Sequence, residues 1–135
     1  MTTRYKRPDL KNAQSILDGS KREFDSAFLL KDMDLFGSTI VRNIYESFRM
    51  LGDSILVSQG ISSSDHLAPI NELLKLKVNT KRPIALIDSL RILRHNINYY
   101  GYNPRVEEVE DFMNFAQGCY KDLFLEVKRI LEKTN

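Results

Sequence analysis

Several residue types that often carry function are scarce in this chain. Its 135 residues include one cysteine, two histidines, four prolines and no tryptophan. A lone Cys119 forms no intrachain disulfide and builds no zinc site by itself. It falls on an apolar helical stripe and reads as a small buried hydrophobe. His66 and His95 stand far apart among scattered carboxylates, without the spacing of metal ligands, so no metal and no other cofactor is expected. No glycine-rich phosphate loop and no nucleophile elbow is present. No apolar run approaches the roughly eighteen residues of a bilayer span, and the opening Met-Thr-Thr-Arg-Tyr-Lys-Arg-Pro has no apolar signal core. The expectation is a soluble, cytoplasmic protein that does not engage a membrane.

What remains is an ordinary globular composition. Hydrophobic residues make up 42% and charged residues 28%, which rules out disordered and collagen-like classes. The length suits one domain with a core that needs no staples. A formal charge of +2 is too mild to announce a nucleic-acid binder by bulk electrostatics, although a local patch remains open.

Residues 1–8 are polar and basic and read as a flexible arm, with a single helical domain following over 9–132. A first helix is expected from Asp9 to Lys31, with Leu10, Ala13, Leu17, Phe24, Ala27 and Phe28 inward and Gly19 a point of weakness. Asp34 is a fair N-cap for a second helix from Leu35 to Gln59, whose stripe is Ile40, Ile44, Phe48, Leu51 and Ile55. Gly60 stops it. Ser62, Ser63, Ser64 and Asp65 offer caps for a short helix around Pro69, carrying Ile70, Leu73, Leu74 and Leu76. A charged connector covers Lys75 to Arg82. The next helix spans Thr80 to Tyr100, with Lys81-Arg82-Pro83 in its first turn and Gly101 ending it. After the Asn103-Pro104 start signal, a last helix runs to Glu132 on Val109, Phe112, Ala116, Tyr120, Leu123, Val127 and Ile130. No stretch alternates as a strand would. The fold class expected is all-α: an antiparallel bundle of four long helices plus one short one.

Chemistry concentrates in Asp88 to Gly101. Leu86, Leu90, Leu93 and Ile97 form a core stripe. Arg91, Arg94 and Asn98 share a neighbouring face, with Asp88, His95 and Tyr99 just beyond. These side chains donate directionally, bind anions or titrate near neutrality, where a merely soluble helix would carry Lys and Glu. The alternatives are plain: Arg91 and Arg94 as surface partners of acids such as Asp88, and Tyr99, Tyr100 and Tyr102 as packing residues with their hydroxyls in water. His66, after the serines, reads as a residue at a helix N-terminus rather than a ligand.

Three segments carry a family resemblance. Val41 to Tyr45 through Leu51 to Gly60 looks like a long helix ending in glycine. Ile61 to His66 resembles a serine/histidine lead into a small helix. Arg94-His95-Asn96 with Tyr99-Tyr100-Gly101 resembles an Arg, polar residue and distal His signature. In this order, over Asp9 to Leu131, the chain resembles the HEPN domains, small helical bundles of prokaryotic toxin–antitoxin, defence and RNA-processing systems. The resemblance implies a homodimer that joins two motif copies across a two-fold axis. It also implies, in ribonuclease members, a metal-independent cleavage in which the Arg steadies the phosphate and the His handles the ribose proton. Carried over, the catalytic set would be Arg94, His95 and Tyr99, because the distal position falls on Tyr99 or Tyr100, where there is no His. Tyrosine, with a reference pKa near 10, is a poor base at neutral pH. The expectation is therefore a degenerate motif that binds RNA or a nucleotide through Arg91, Arg94, Asn96, Asn98, Tyr99 and Tyr100. The alternatives are an active endoribonuclease toxin, or a non-catalytic partner of a small nucleotidyltransferase.

Overall fold

A computed structural model describes residues 3–63 and 65–133. It is a predominantly helical bundle: α1 (Leu10–Leu29), α2 (Gly37–Ser58), α3 (Ala68–Leu74), α4 (Leu86–Tyr100) and α5 (Val106–Lys133), with a two-stranded sheet of β1 (Thr3–Tyr5) and β2 (Ile61–Ser63). α2 packs against α1, α3, α4 and α5, and so forms the spine of the core. Its Ile40, Ile44, Phe48, Leu51 and Ile55 are all buried, as are Leu17 of α1, Leu90 of α4 and Leu123 of α5. Burying each such side chain contributes on the order of 1.5–3 kcal/mol. No helix among the described residues is long and apolar enough to cross a membrane.

The helix ends differ from expectation wherever tertiary bonds outweigh local signals. Asp9 does cap α1, its carboxylate accepting from the Asn12 amide at 2.9 Å, and α1 runs unbroken through the buried Gly19. Asp34, however, opens a single 3₁₀ turn to Phe36, and Phe36 takes the N-cap position of α2 without a side-chain bond. α4 starts at Leu86 rather than Thr80. The preceding residues are held outside the helix by the Lys81 amide on the Gly118 carbonyl of α5 (3.3 Å) and by the Thr80 hydroxyl on the Arg82 carbonyl (2.5 Å). α5 starts at Val106 rather than at Pro104, and Glu108 reaches back to accept from the Arg105 amide at 3.0 Å. That is half of a capping box, and it supersedes the Asn103-Pro104 signal.

The N-terminal segment is not wholly a free arm. Its first two residues and the cap candidate Ser64 lie outside the described residues. Thr3, Arg4 and Tyr5 pair antiparallel with Ser63, Ser62 and Ile61, and the Lys6 amide donates to the Gly60 carbonyl. Gly60 has φ +75°, and a Cβ there would collide with the Lys6 carbonyl, so glycine is required both for conformation and for space. The arm thereby pins the chain as it leaves α2, just ahead of His66. At the far side of that connection, α3 lies so close to α2 that a Cβ on Gly52 would meet the Pro69 carbonyl.

Candidate functional site

α4 presents Arg91, Arg94, His95 and Tyr99 to a cleft of about 450 Å³, which α2 completes with Tyr45 and the α2–α3 connection with Asp65, His66 and Leu67. That volume falls within the roughly 300–1,000 Å³ of small-ligand sites. An apolar crevice between Met33, Ile40, Val109 and Met113 encloses only about 30 Å³, too little for a ligand.

Arg94 has an unusual setting for a surface arginine. Its guanidinium carbon Cζ sits 5.2 Å from the centre of the Tyr45 ring, a cation–π contact that orients the planar group. Among the described residues no carboxylate pairs with it. The Tyr45 ring is 4% exposed, so this platform is fixed in the core. Burial pushes the Tyr45 phenol above its ordinary pKa, while the positive charges of Arg94, Arg49 and Arg91 pull the other way.

The remaining residues from the sequence reading divide. Arg91 does take the surface-pair alternative, its Nε donating to Asp88 at 2.8 Å, yet it still lines the cleft. Asn98 faces elsewhere, accepting from Arg42 Nε at 2.7 Å and tying α4 to α2. The backbone carbonyl of Asn96 accepts the Gly101 and Tyr102 amides that close α4, where Gly101 sits at φ +63°. Tyr100 stands outside the cleft lining but edge-on to the His95 ring, with centroids 5.8 Å apart. His95 also leans on Tyr99 at 4.6 Å, so the imidazole is braced from two sides. The hydroxyl of Tyr102 is not left to water: it donates to Glu108, and that bond is the largest cause holding the Glu108 carboxyl below its ordinary pKa.

Sequence reasoning missed Tyr45 and His66. Tyr45 is a buried core residue of α2, yet it also lines the cleft. His66 looked like a helix-start residue, but α3 begins at Ala68 with Leu67 at its cap position. Instead, His66 is the middle residue of a turn in which the Asp65 carboxylate accepts the Leu67 amide at 2.9 Å. That turn delivers the second of the chain's two histidines to the cleft that already holds the first. Among the described residues no group of three or more His, Cys, Asp or Glu side chains is arranged to hold a metal ion.

The arrangement can grip an anion through two guanidinium groups, stack a planar ring on exposed Tyr99, and move protons on imidazoles. No protein-family model, no curated protein and no solved structure matches the chain.

Proposed function

We propose that the chain is a HEPN-like homodimer that binds RNA or a nucleotide in the α4 cleft. The observation that carries this reading is Arg94, laid on a buried tyrosine ring with no carboxylate partner among the described residues, in a cleft shared with Arg91, Tyr99 and both histidines. An arginine kept unneutralised and oriented suits a phosphate. Helices of 20, 22, 15 and 28 residues with one of 7 support the four-long, one-short arrangement of that family. Dimerisation through α4 finds support in Ile92 and Tyr99, 48% and 69% exposed and one heptad apart with His95 between them. Such a stripe can meet its own copy about a two-fold axis beside the cleft. The same reading places the protein in a toxin–antitoxin or defence system, with RNA as its ligand.

The test is binding of a short single-stranded RNA at two salt concentrations by the wild type and by Arg94→Ala. Affinity should fall as salt rises, and the variant should bind about tenfold more weakly, as loss of one charge-assisted contact implies. Its log–log salt slope should be shallower by about 0.7, the value for one phosphate on a single strand. Equal slopes would remove Arg94 from the interface.

A second reading, a partner of a nucleotidyltransferase, has its own support in the corner between α1 and α2. There Leu29, Met33, Leu35 and Phe36 are exposed together, the kind of surface a protein partner covers. Capture of such an enzyme that is lost on Leu35→Asp and indifferent to Arg94→Ala would favour it.

A further inference from the structure

We propose that His66 and His95 are the proton-transfer pair of an RNA-cleaving reaction in this cleft. The inference rests on the RNA-binding reading above and adds to it a residue, His66, and a division of the proton work between two elements.

The argument begins with where the two imidazoles come from. Arg94 and His95 are adjacent on one helix, so their side chains leave it about 100° apart. One subunit's α4 therefore cannot easily set an arginine and two proton carriers around one phosphate. His66 is free of that constraint because it arrives from another element. It sits in the turn between α2 and α3, with the Asp65 carboxylate bonded to the Leu67 amide on one side and the β1–β2 pairing on the other. His95 is braced by the rings of Tyr99 and Tyr100. Both imidazoles and the Arg94 guanidinium line the same cleft. The chain has no other histidine, so both of its imidazoles line this one space.

Strand cleavage at a ribose requires a base and an acid on either side of a stabilised phosphate, and two imidazoles beside an arginine can supply them. The ribose 2′-oxygen forms a bond to the neighbouring phosphorus while the bond from phosphorus to the 5′-oxygen breaks. One neutral imidazole accepts the 2′-hydroxyl proton, and the other, starting protonated, gives its proton to the departing 5′-oxygen. The products are a 2′,3′-cyclic phosphate and a 5′-hydroxyl. The two imidazoles end with their protonation exchanged, and solvent resets them. Arg94, with no carboxylate partner among the described residues, stabilises the charge that grows on the non-bridging oxygens. The substrate class is single-stranded RNA; DNA, lacking the 2′-hydroxyl, binds without being cut.

The experiment measures binding and cleavage of one RNA oligonucleotide by the wild type, His66→Gln, His95→Gln and the double variant. Because both histidines are exposed, each variant should keep the helical spectrum of the wild type, and cleavage rates are compared at RNA concentrations that saturate each variant. The expected result is cyclic-phosphate product from the wild type and about 10²-fold or slower cleavage from each single variant, the usual cost of losing an acid or base. A second substrate carries sulfur in place of the bridging 5′-oxygen, a leaving group that needs no proton. It should restore the rate of one single variant only, the one lacking the acid. Wild-type RNA binding without cleavage overturns the pair and leaves the binding reading standing; absence of binding removes both. Cleavage undiminished in His66→Gln, or rescue of both variants or neither by the sulfur substrate, also overturns it.

Discussion

An arginine on a bundle surface ordinarily finds a carboxylate within one turn, as Arg49 does with Glu46, Arg91 with Asp88 and Arg129 with Glu126. Such pairs contribute little to stability in water, roughly 0.2–1 kcal/mol, and they neutralise the charge. Arg94 is spared this by the Tyr45 ring beneath it, which orients the guanidinium without cancelling it. A different residue-scale economy holds the α1–α2 seam. Ser20 Oγ donates to the Ser47 carbonyl at 2.6 Å, so its contact with the Tyr120 hydroxyl at 2.7 Å must be one in which the tyrosine donates. The ring itself stacks on Phe24 with centroids 4.1 Å apart. Removing each partner therefore has a different consequence. Tyr120→Phe keeps the ring and leaves Ser20 bonded to Ser47, costing about 0.5–1.5 kcal/mol. Ser20→Ala strands a buried phenol and should cost about 1–3 kcal/mol. Urea midpoints should rank the two in that order, and the reverse order would contradict this assignment of donor and acceptor.

At the scale of elements, the cleft depends on how closely α3 approaches α2. Gly52→Ala would push a methyl into the Pro69 carbonyl, a backbone atom that can yield only if the whole short helix shifts. The expected loss is about 1–3 kcal/mol in urea unfolding, typical of overpacking. RNA affinity should weaken as well, because the turn leading into α3 holds His66 and Leu67 at the cleft wall. A normal midpoint would mean that α3 docks less tightly. The elements also show where sequence alone was informative. Stripes at threes and fours in α2 and α5 located the core because burial obeys the same period as the helix. Local signals failed where a distant group intervened: Gly118 of α5 holds Lys81 out of α4, and β2 claims residues 3–5 of the expected arm. The site divides in the same way. Arg91, Arg94, His95 and Tyr99 were legible because one helix presents them, whereas His66 reaches them from a turn whose position only tertiary structure fixes. Asn98 shared their face but was diverted by Arg42.

Over the whole molecule, ionisable groups are sorted by whether the core holds them. Cys119 is 1% exposed, and burial raises its thiol from 9.0 to about 12. Burial likewise raises the phenols of Tyr120 and Tyr45 above 10.0. In each case folding favours the protonated form, so the stability involved is intact below the unfolded pKa and drains away as pH rises toward the folded one. The thiol is the first to act. Urea midpoints should stay level up to about pH 9 and then fall, with the tyrosines steepening the loss above about pH 10. Cys119→Ala should start from a lower plateau, having lost a packed sulfur, but decline less between pH 9 and 10. Parallel wild-type and variant curves in that interval would show that the thiol ionises as readily folded as unfolded. The same burial keeps Cys119 from reagents: at pH 8 a thiol probe should react only at the rate of unfolding, since only the thiolate is nucleophilic. The core thus holds its buried thiol and phenols neutral, while α4 presents Arg91, Arg94 and His95 at the cleft and the α2–α3 turn adds His66. Alkaline pH should therefore unfold the protein by ionising core groups, while RNA binding at neutral pH should depend on the cleft alone.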